Sequence, residues 1–170
     1  PAEAQPSRSV HVPGGRATID LAELDPIEPV QLTAFRIDRF EVTNREYKVF
    51  LDRGAYREPA LWQYEFREGN RRLTFEEAVS RFVDQTGRPG PSTWEVGAFA
   101  DGTADYPVSG VSWYEAAAYC ESVGKALPTI FHWSAAAWPG FTSVAVLPGS
   151  NFGERGLRPV GSGPPGMHGA

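Results

Sequence analysis

The sequence predicts an α+β domain with short helices, small sheets and long ordered loops. Three observations point there. Three segments pair a Ser or Thr with a Glu three residues later, ahead of apolar residues at helical spacing. Short runs alternate apolar and polar residues with the period of a strand. Eighteen glycines and fifteen prolines break up the chain, yet they stay below the roughly 25–30% share typical of disorder. Five tryptophans and ten phenylalanines offer ample area to bury. A chain of 170 residues suits one domain. No strand–helix–strand alternation runs through it, which argues against a doubly wound sheet.

Residues 1–8 read as a solvated linker. SVHVPGG (Ser9–Gly15) is a strand ended by a turn. Residues 20–29 are acidic and broken by proline, so they are loop. Val30–Val42 is extended, with Phe35, Ile37, Phe40 and Val42 alternating with charged residues. Thr43 and Glu46 form the first capping box. Val42 can staple onto Tyr47; Tyr47, Phe50 and Leu51 make an apolar stripe, and Gly54 stops the helix. Thr74 and Glu77 open a second helix that carries Ala78, Val79, Phe82 and Val83, with Gly87 beyond its end. Residues 88–107 hold repeated breakers and form a loop anchored by Trp94 and Phe99. Ser112 and Glu115 open a third helix through Ala116, Ala117 and Cys120 to a stop at Gly124. Thr129, after Pro128, caps a fourth over Ile130–Ala137. From Pro139 onward the chain reads as loop with short strands, Arg158–Gly161 among them.

Sixteen basic against twenty-one acidic residues give a net charge of −5. No basic block is present, so nucleic acid is not an expected partner. No apolar run reaches the roughly 18 residues that a membrane helix needs, so no membrane partner is expected within the chain. No secretory signal opens the sequence. It starts without Met, and both ends read as cuts in a longer protein. The single cysteine, Cys120, has no internal disulfide partner. That points to a reducing compartment, the cytoplasm, with a partner cysteine outside the chain as the alternative.

Candidate chemistry is sparse. Cys120 falls late in its helix, where the dipole disfavours a thiolate. It shares a face with Trp113, Ala116 and Ala117, which is a core pattern rather than a nucleophile's. His11, His132 and His168 are far apart and lack metal-ligand spacing. His132, in the first turn of its helix, suits packing or capping. Glu95, Asp101 and Asp105 share one loop but lack the alternation of a calcium loop, so they read as solvated. GRPGPS (Gly87–Ser92) lacks the Lys and following helix of a phosphate loop. Trp94, Trp113, Trp133 and Trp138 read as core. No catalytic and no cofactor-binding residue is expected among these residues.

Three blocks carry a family resemblance. FRIDRFEVTNREYKVFLDRGAY (Phe35–Tyr56) looks like an "ID-x-x-EVTN-x-x-Y-x-x-F" entry motif. YPVSGVSWYEAAAYCESVGKALPT (Tyr106–Thr129) looks like "PV-x-x-VSW-x-x-A-x-x-YC-x-W-x-G-K-x-LPT". GSNFGERGLRPVGSGPPGMHGA (Gly149–Ala170) resembles the stretch leading to "GNVWEW". In this order they resemble the formylglycine-generating enzyme (sulfatase-modifying factor) family. The resemblance implies an irregular α+β fold like that of C-type lectins, of which residues 9–170 would be the N-terminal portion. It also implies a protein or peptide substrate or ligand.

Active members of the family convert a sulfatase cysteine to formylglycine with oxygen and with copper held by two cysteines. Those cysteines lie in the C-terminal part of the domain, so no catalytic residue carries over. Cys120 matches the "YC-x-W" cysteine, which forms a structural disulfide in some relatives; its partner would lie beyond Ala170. Asn151 matches an asparagine that binds calcium in some relatives. Ser122 stands where the family has Trp, and IFHW (Ile130–Trp133) replaces "EAEW". GAYREPALW (Gly54–Trp62), GRPGPSTWEVG (Gly87–Gly97) and LPTIFHW (Leu127–Trp133) resemble a branch fused behind serine/threonine kinase domains. The resemblance thus implies an accessory or ligand-binding module of a larger protein, such as a kinase. The alternatives are a formylglycine-generating oxidoreductase whose catalytic cysteines lie beyond residue 170, and an oxidase module like those of ergothioneine synthesis, which needs an iron-binding partner domain. If the fold continues past residue 170, an exposed apolar face or an unpaired sheet edge is expected.

Overall fold

The computed structural model describes residues 8–19, 27–137, 151 and 156–163. Along the chain run β1 (Ser9–Val12), β2 (Gly15–Ala17), β3 (Val30–Leu32), β4 (Phe35–Asp38) and α1 (Asn44–Asp52). Two 3-10 turns follow, Ala55–Arg57 and Pro59–Leu61. Then come β5 (Arg67–Glu68), β6 (Arg71–Arg72), α2 (Phe75–Val79), α3 (Trp113–Ser122) and α4 (Ile130–Ala137). This is the expected α+β mixture. The chain divides into two units.

The first unit comprises Pro1–Glu41, Pro128–Gly156 and Gly161–Ala170. β1 pairs antiparallel with β4, and β2 with β3. Ser9 faces Asp38 and Gly15 faces Leu32, so both ladders share one register. The ribbon is interrupted at Pro13–Gly14, where Pro13 has no N–H to donate. Gly14 is required there: a Cβ would lie 2.8 Å from the Ala34 nitrogen and from the Leu32 carbonyl oxygen. Val10, Val12, Ala17 and Leu32 are buried. α4 lies against β2 and β3. Thr129 caps it as expected, accepting from the His132 N–H at 3.3 Å. Trp133 and Ile130 are exposed, which corrects the reading of Trp133 as core.

The second unit comprises Val42–Leu127 and Leu157–Val160. Its core is aromatic: Tyr47, Phe50, Tyr56, Trp62, Phe66 and Trp94 are buried together. All three capping boxes form. Thr43 accepts from the Glu46 N–H at 3.3 Å, and Glu46 accepts from the Thr43 N–H at 2.9 Å. Gly54 ends α1 in the left-handed region, at φ 85°.

α2 is shorter than the apolar spacing predicts. Its box forms, but the helix stops at Val79. The Ser80 hydroxyl donates to the Glu77 carbonyl, and Arg81 and Phe82 fall into tighter bonds with Ala78 and Val79. Phe82 leaves the helical path and stacks on Trp62, ring centroids 5.5 Å apart. Burying that ring outweighs another helical turn.

α3 ends in a Schellman motif. Lys125 N–H donates to the Cys120 carbonyl and Gly124 N–H to the Glu121 carbonyl. Its inward face is rotated from the expected one. Glu115, Ala118 and Tyr119 point inward, while Trp113 is 54% exposed and leans on Tyr64 at 4.6 Å. Glu115 is held inward by the buried Tyr56 hydroxyl, which donates to its carboxylate. Arg158–Gly161 is not a strand; within it the Val160 N–H donates to the Asp105 carbonyl. Among the described residues every sheet has two strands.

Candidate functional site

The two strongest motif blocks meet in the second unit. Val108 N–H donates to the Val42 carbonyl at 2.8 Å, and Thr43 bridges Pro107. Asn44, the last residue of the EVTN motif, is buried at the start of α1. Its N–H donates to the Tyr106 carbonyl at 2.9 Å, and its Nδ2 donates to the Thr103 carbonyl at 2.9 Å. Its Oδ1 accepts from Trp94 Nε1 at 3.1 Å. One amide therefore ties the helix start to two points of the 88–107 loop, and that loop is anchored by Trp94 as its sequence predicts. A cleft of about 280 Å³ opens beside this tie, walled by Trp94, Phe99, Tyr106, Ser109 and Leu157.

Asp84 organises the same loop from the other side. Burial disfavours its charge, but hydrogen bonds from the Gly97 N–H, the Thr86 hydroxyl and the Arg88 and Thr86 N–H groups win. They hold its carboxyl down at about 2. The Gly97 bond is 2.6 Å and the Thr86 hydroxyl bond 2.7 Å. The clasp holds Val96 at φ 54°, a costly conformation for a β-branched residue. The Thr86 hydroxyl accepts from the Val96 N–H and Arg88 donates to its carbonyl, fixing both ends of the strained peptide.

A third polar group lies within the aromatic core. Tyr56 donates to Glu115 Oε1 at 2.5 Å, and Glu115 Oε2 accepts from the Ser112 N–H at 2.6 Å. The Tyr47 hydroxyl sits 3.1 Å from that of Tyr56. Desolvation pushes both phenols far above their usual range, and the charge of Glu115 adds to the effect.

The residues singled out in the sequence fall elsewhere. Cys120 is half-buried against the edge of the core. A lone thiol on α3 is a poor match for a two-cysteine copper site, so these residues do not fit copper. His132 serves packing and capping: its Nδ1 lies 2.7 Å from the Thr129 hydroxyl, and its ring meets Phe35 edge-on at 4.8 Å. His11 is exposed on β1. His168 and Trp138 lie outside the described residues. Asp105 pairs with exposed Arg45 at 3.0 Å, while Glu95 and Asp101 face solvent. Gly87–Ser92 is a tight turn, held by the Gly90 N–H on the Phe82 carbonyl.

Asn151 Nδ2 donates to the Gly156 carbonyl at 3.0 Å, which leaves Oδ1 as the atom able to face a cation. Among the described residues no three His, Cys, Asp or Glu side chains gather as a metal site. None of their helices is long and apolar enough to cross a membrane. Sequence reasoning missed Asn44, Asp84 and Tyr56. Asn44 was visible only as a motif letter; its partners and those of Tyr56 are brought in by the fold, whereas Asp84 binds Thr86 and Arg88 two and four residues on, with only Gly97 farther along the chain.

The α+β scaffold thus holds two motif blocks locked together through Asn44. The sulfatase-modifying factor enzyme 1-like domain family matches residues 1–162, and the chain belongs to that family. It is 34% identical to hercynine oxygenase of Mycobacterium tuberculosis over 155 residues, covering 83% of this chain and 35% of the relative. It is 29% identical to inactive C-alpha-formylglycine-generating enzyme 2 of Bos taurus over 165 residues, covering 84% of this chain and 52% of the relative. It is also 29% identical to the formylglycine-generating enzyme of Thermomonospora curvata over 140 residues, covering 77% and 46%. The chain thus spans between about a third and a half of these relatives' lengths.

Proposed function

We propose that this chain is the scaffold portion of a sulfatase-modifying-factor-like domain that serves a larger protein as an accessory or ligand-binding module. One observation carries this reading: the polar groups of the family motifs are spent inside the fold. Asn44 satisfies Trp94 and Thr103, and Ser112 and Glu115 satisfy each other and Tyr56. The similarity to a relative named inactive supports it. The wider fold is that of a C-type-lectin-like domain, with residues 1–8 as linker and 9–170 as its N-terminal portion. Its ligand is a protein or peptide, a kinase domain is the fused neighbour, the compartment is the cytoplasm, and Asn151 contributes one oxygen to a calcium site.

A second reading is an oxidoreductase whose reacting groups lie outside this chain. It is favoured by the similarity to relatives named formylglycine-generating enzyme and hercynine oxygenase. The test uses the full-length protein with copper, oxygen and a sulfatase-type cysteine peptide, and separately with iron, oxygen and hercynine. The module reading expects no aldehyde and no loss of hercynine. Aldehyde formation supports the formylglycine-generating reading, and hercynine consumption supports the oxygenase reading.

A further inference from the structure

We propose that Tyr56 is a redox-active tyrosine, the residue on which a one-electron oxidation of this protein comes to rest, with Glu115 as its proton acceptor. The proposal starts from the burial of the group. Tyr47 is 1% exposed, Tyr56 4% and Glu115 3%. A buried phenol cannot lose an electron alone, because the phenol cation left behind is strongly acidic and has no water to receive its proton. Tyr56 has a built-in acceptor: its hydroxyl donates to Glu115 Oε1 at 2.5 Å. That carboxylate is fixed on its other oxygen by the Ser112 N–H at 2.6 Å, so it cannot turn away. The Tyr47 hydroxyl, 3.1 Å from that of Tyr56, is placed to donate a second hydrogen bond to the phenoxyl oxygen once the Tyr56 proton has left.

Two tryptophans flank the pair. Trp62 lies 5.5 Å from Tyr56, ring to ring, and Trp94 lies 6.2 Å from Tyr47. A one-electron oxidant strong enough to attack indole leaves a tryptophan radical cation. That cation takes one electron from Tyr56, and the phenolic proton crosses to Glu115 in the same step. The products are the restored indole, a neutral tyrosyl radical and a protonated Glu115. Atoms and charge balance with no other reactant. The surrounding aromatic core keeps a second radical from reaching Tyr56 and coupling to it.

The test is pulse radiolysis of the full-length protein with the azidyl radical as oxidant. The expected result is a tryptophan radical that decays into a tyrosyl radical at a rate independent of protein concentration. Tyr56→Phe slows that transfer by about tenfold or more. Glu115→Gln slows it similarly, since an amide accepts a hydrogen bond but not a proton. Tyr64→Phe, at an exposed ring that meets Trp113 edge-on, leaves it unchanged. An unchanged rate in Tyr56→Phe overturns the proposal and leaves the trio a structural hydrogen-bond network; so does loss of transfer in Tyr64→Phe. Should the core variants fail to fold, the unsubstituted protein still decides. Transfer to an internal acceptor is independent of buffer concentration and slows in heavy water, whereas a rate that climbs with buffer concentration places the proton in solvent and overturns the proposal.

Discussion

Asp84 is surrounded by donors from Thr86, Arg88 and Gly97, and its charge is what they bind. Its carboxyl titrates at about 2 when folded, against about 3.9 in an unfolded chain. A depressed folded value means the stabilisation is complete above the unfolded value. It is lost as the pH falls from about 4 towards 2. Unfolding midpoints measured across that window should drop, and Asp84→Ala should flatten that part of the profile while lowering stability by about 2–3 kcal/mol. The Asp84–Gln85–Thr86 turn is a local pattern that a sequence can carry, but the bond from Gly97, 13 residues on, was not legible there. Cys120 is the reverse case. Its helical position already disfavours a reactive thiolate, and the structure places it at the core edge. Cys120→Ala should cost about 1 kcal/mol or less by thermal unfolding, and the thiol should alkylate no faster than an ordinary cysteine.

The helices were the most legible elements because their starts are written locally. A Ser or Thr and a Glu three residues apart need no distant partner, and all three boxes close. Ser112→Ala should cost about 1 kcal/mol in a denaturant titration. Gly124, at φ 68° in the Schellman motif, should be as sensitive: Gly124→Ala forces a side chain into the left-handed region at a cost of about 1 kcal/mol. Helix ends and faces were less legible. α2 stops early because Phe82 finds Trp62, 20 residues back along the chain. α3 turns its Glu115 inward because Tyr56 lies opposite, 59 residues away. Periodicity sees only the segment itself, so long-range partners that override it stay hidden.

At the scale of the molecule, the family motifs prove to be mutual partners. EVTN and YPVSGVSW are separated by more than 60 residues, yet Val42 to Arg45 bonds to Ala104 through Val108 along one seam. Asn44 is the side chain that joins the helix start to both Trp94 and Thr103. The polar groups of these motifs are bonded within the fold. The direct measurement is the unfolding free energy of the full-length protein carrying Asn44→Ala. Removal of the amide leaves buried Trp94 Nε1 without its acceptor and takes one of two donors from the Thr103 carbonyl, which keeps the Tyr106 N–H, and a loss of about 2–3 kcal/mol is expected. Unchanged stability would contradict the account, because the asparagine would then be free of structural duty.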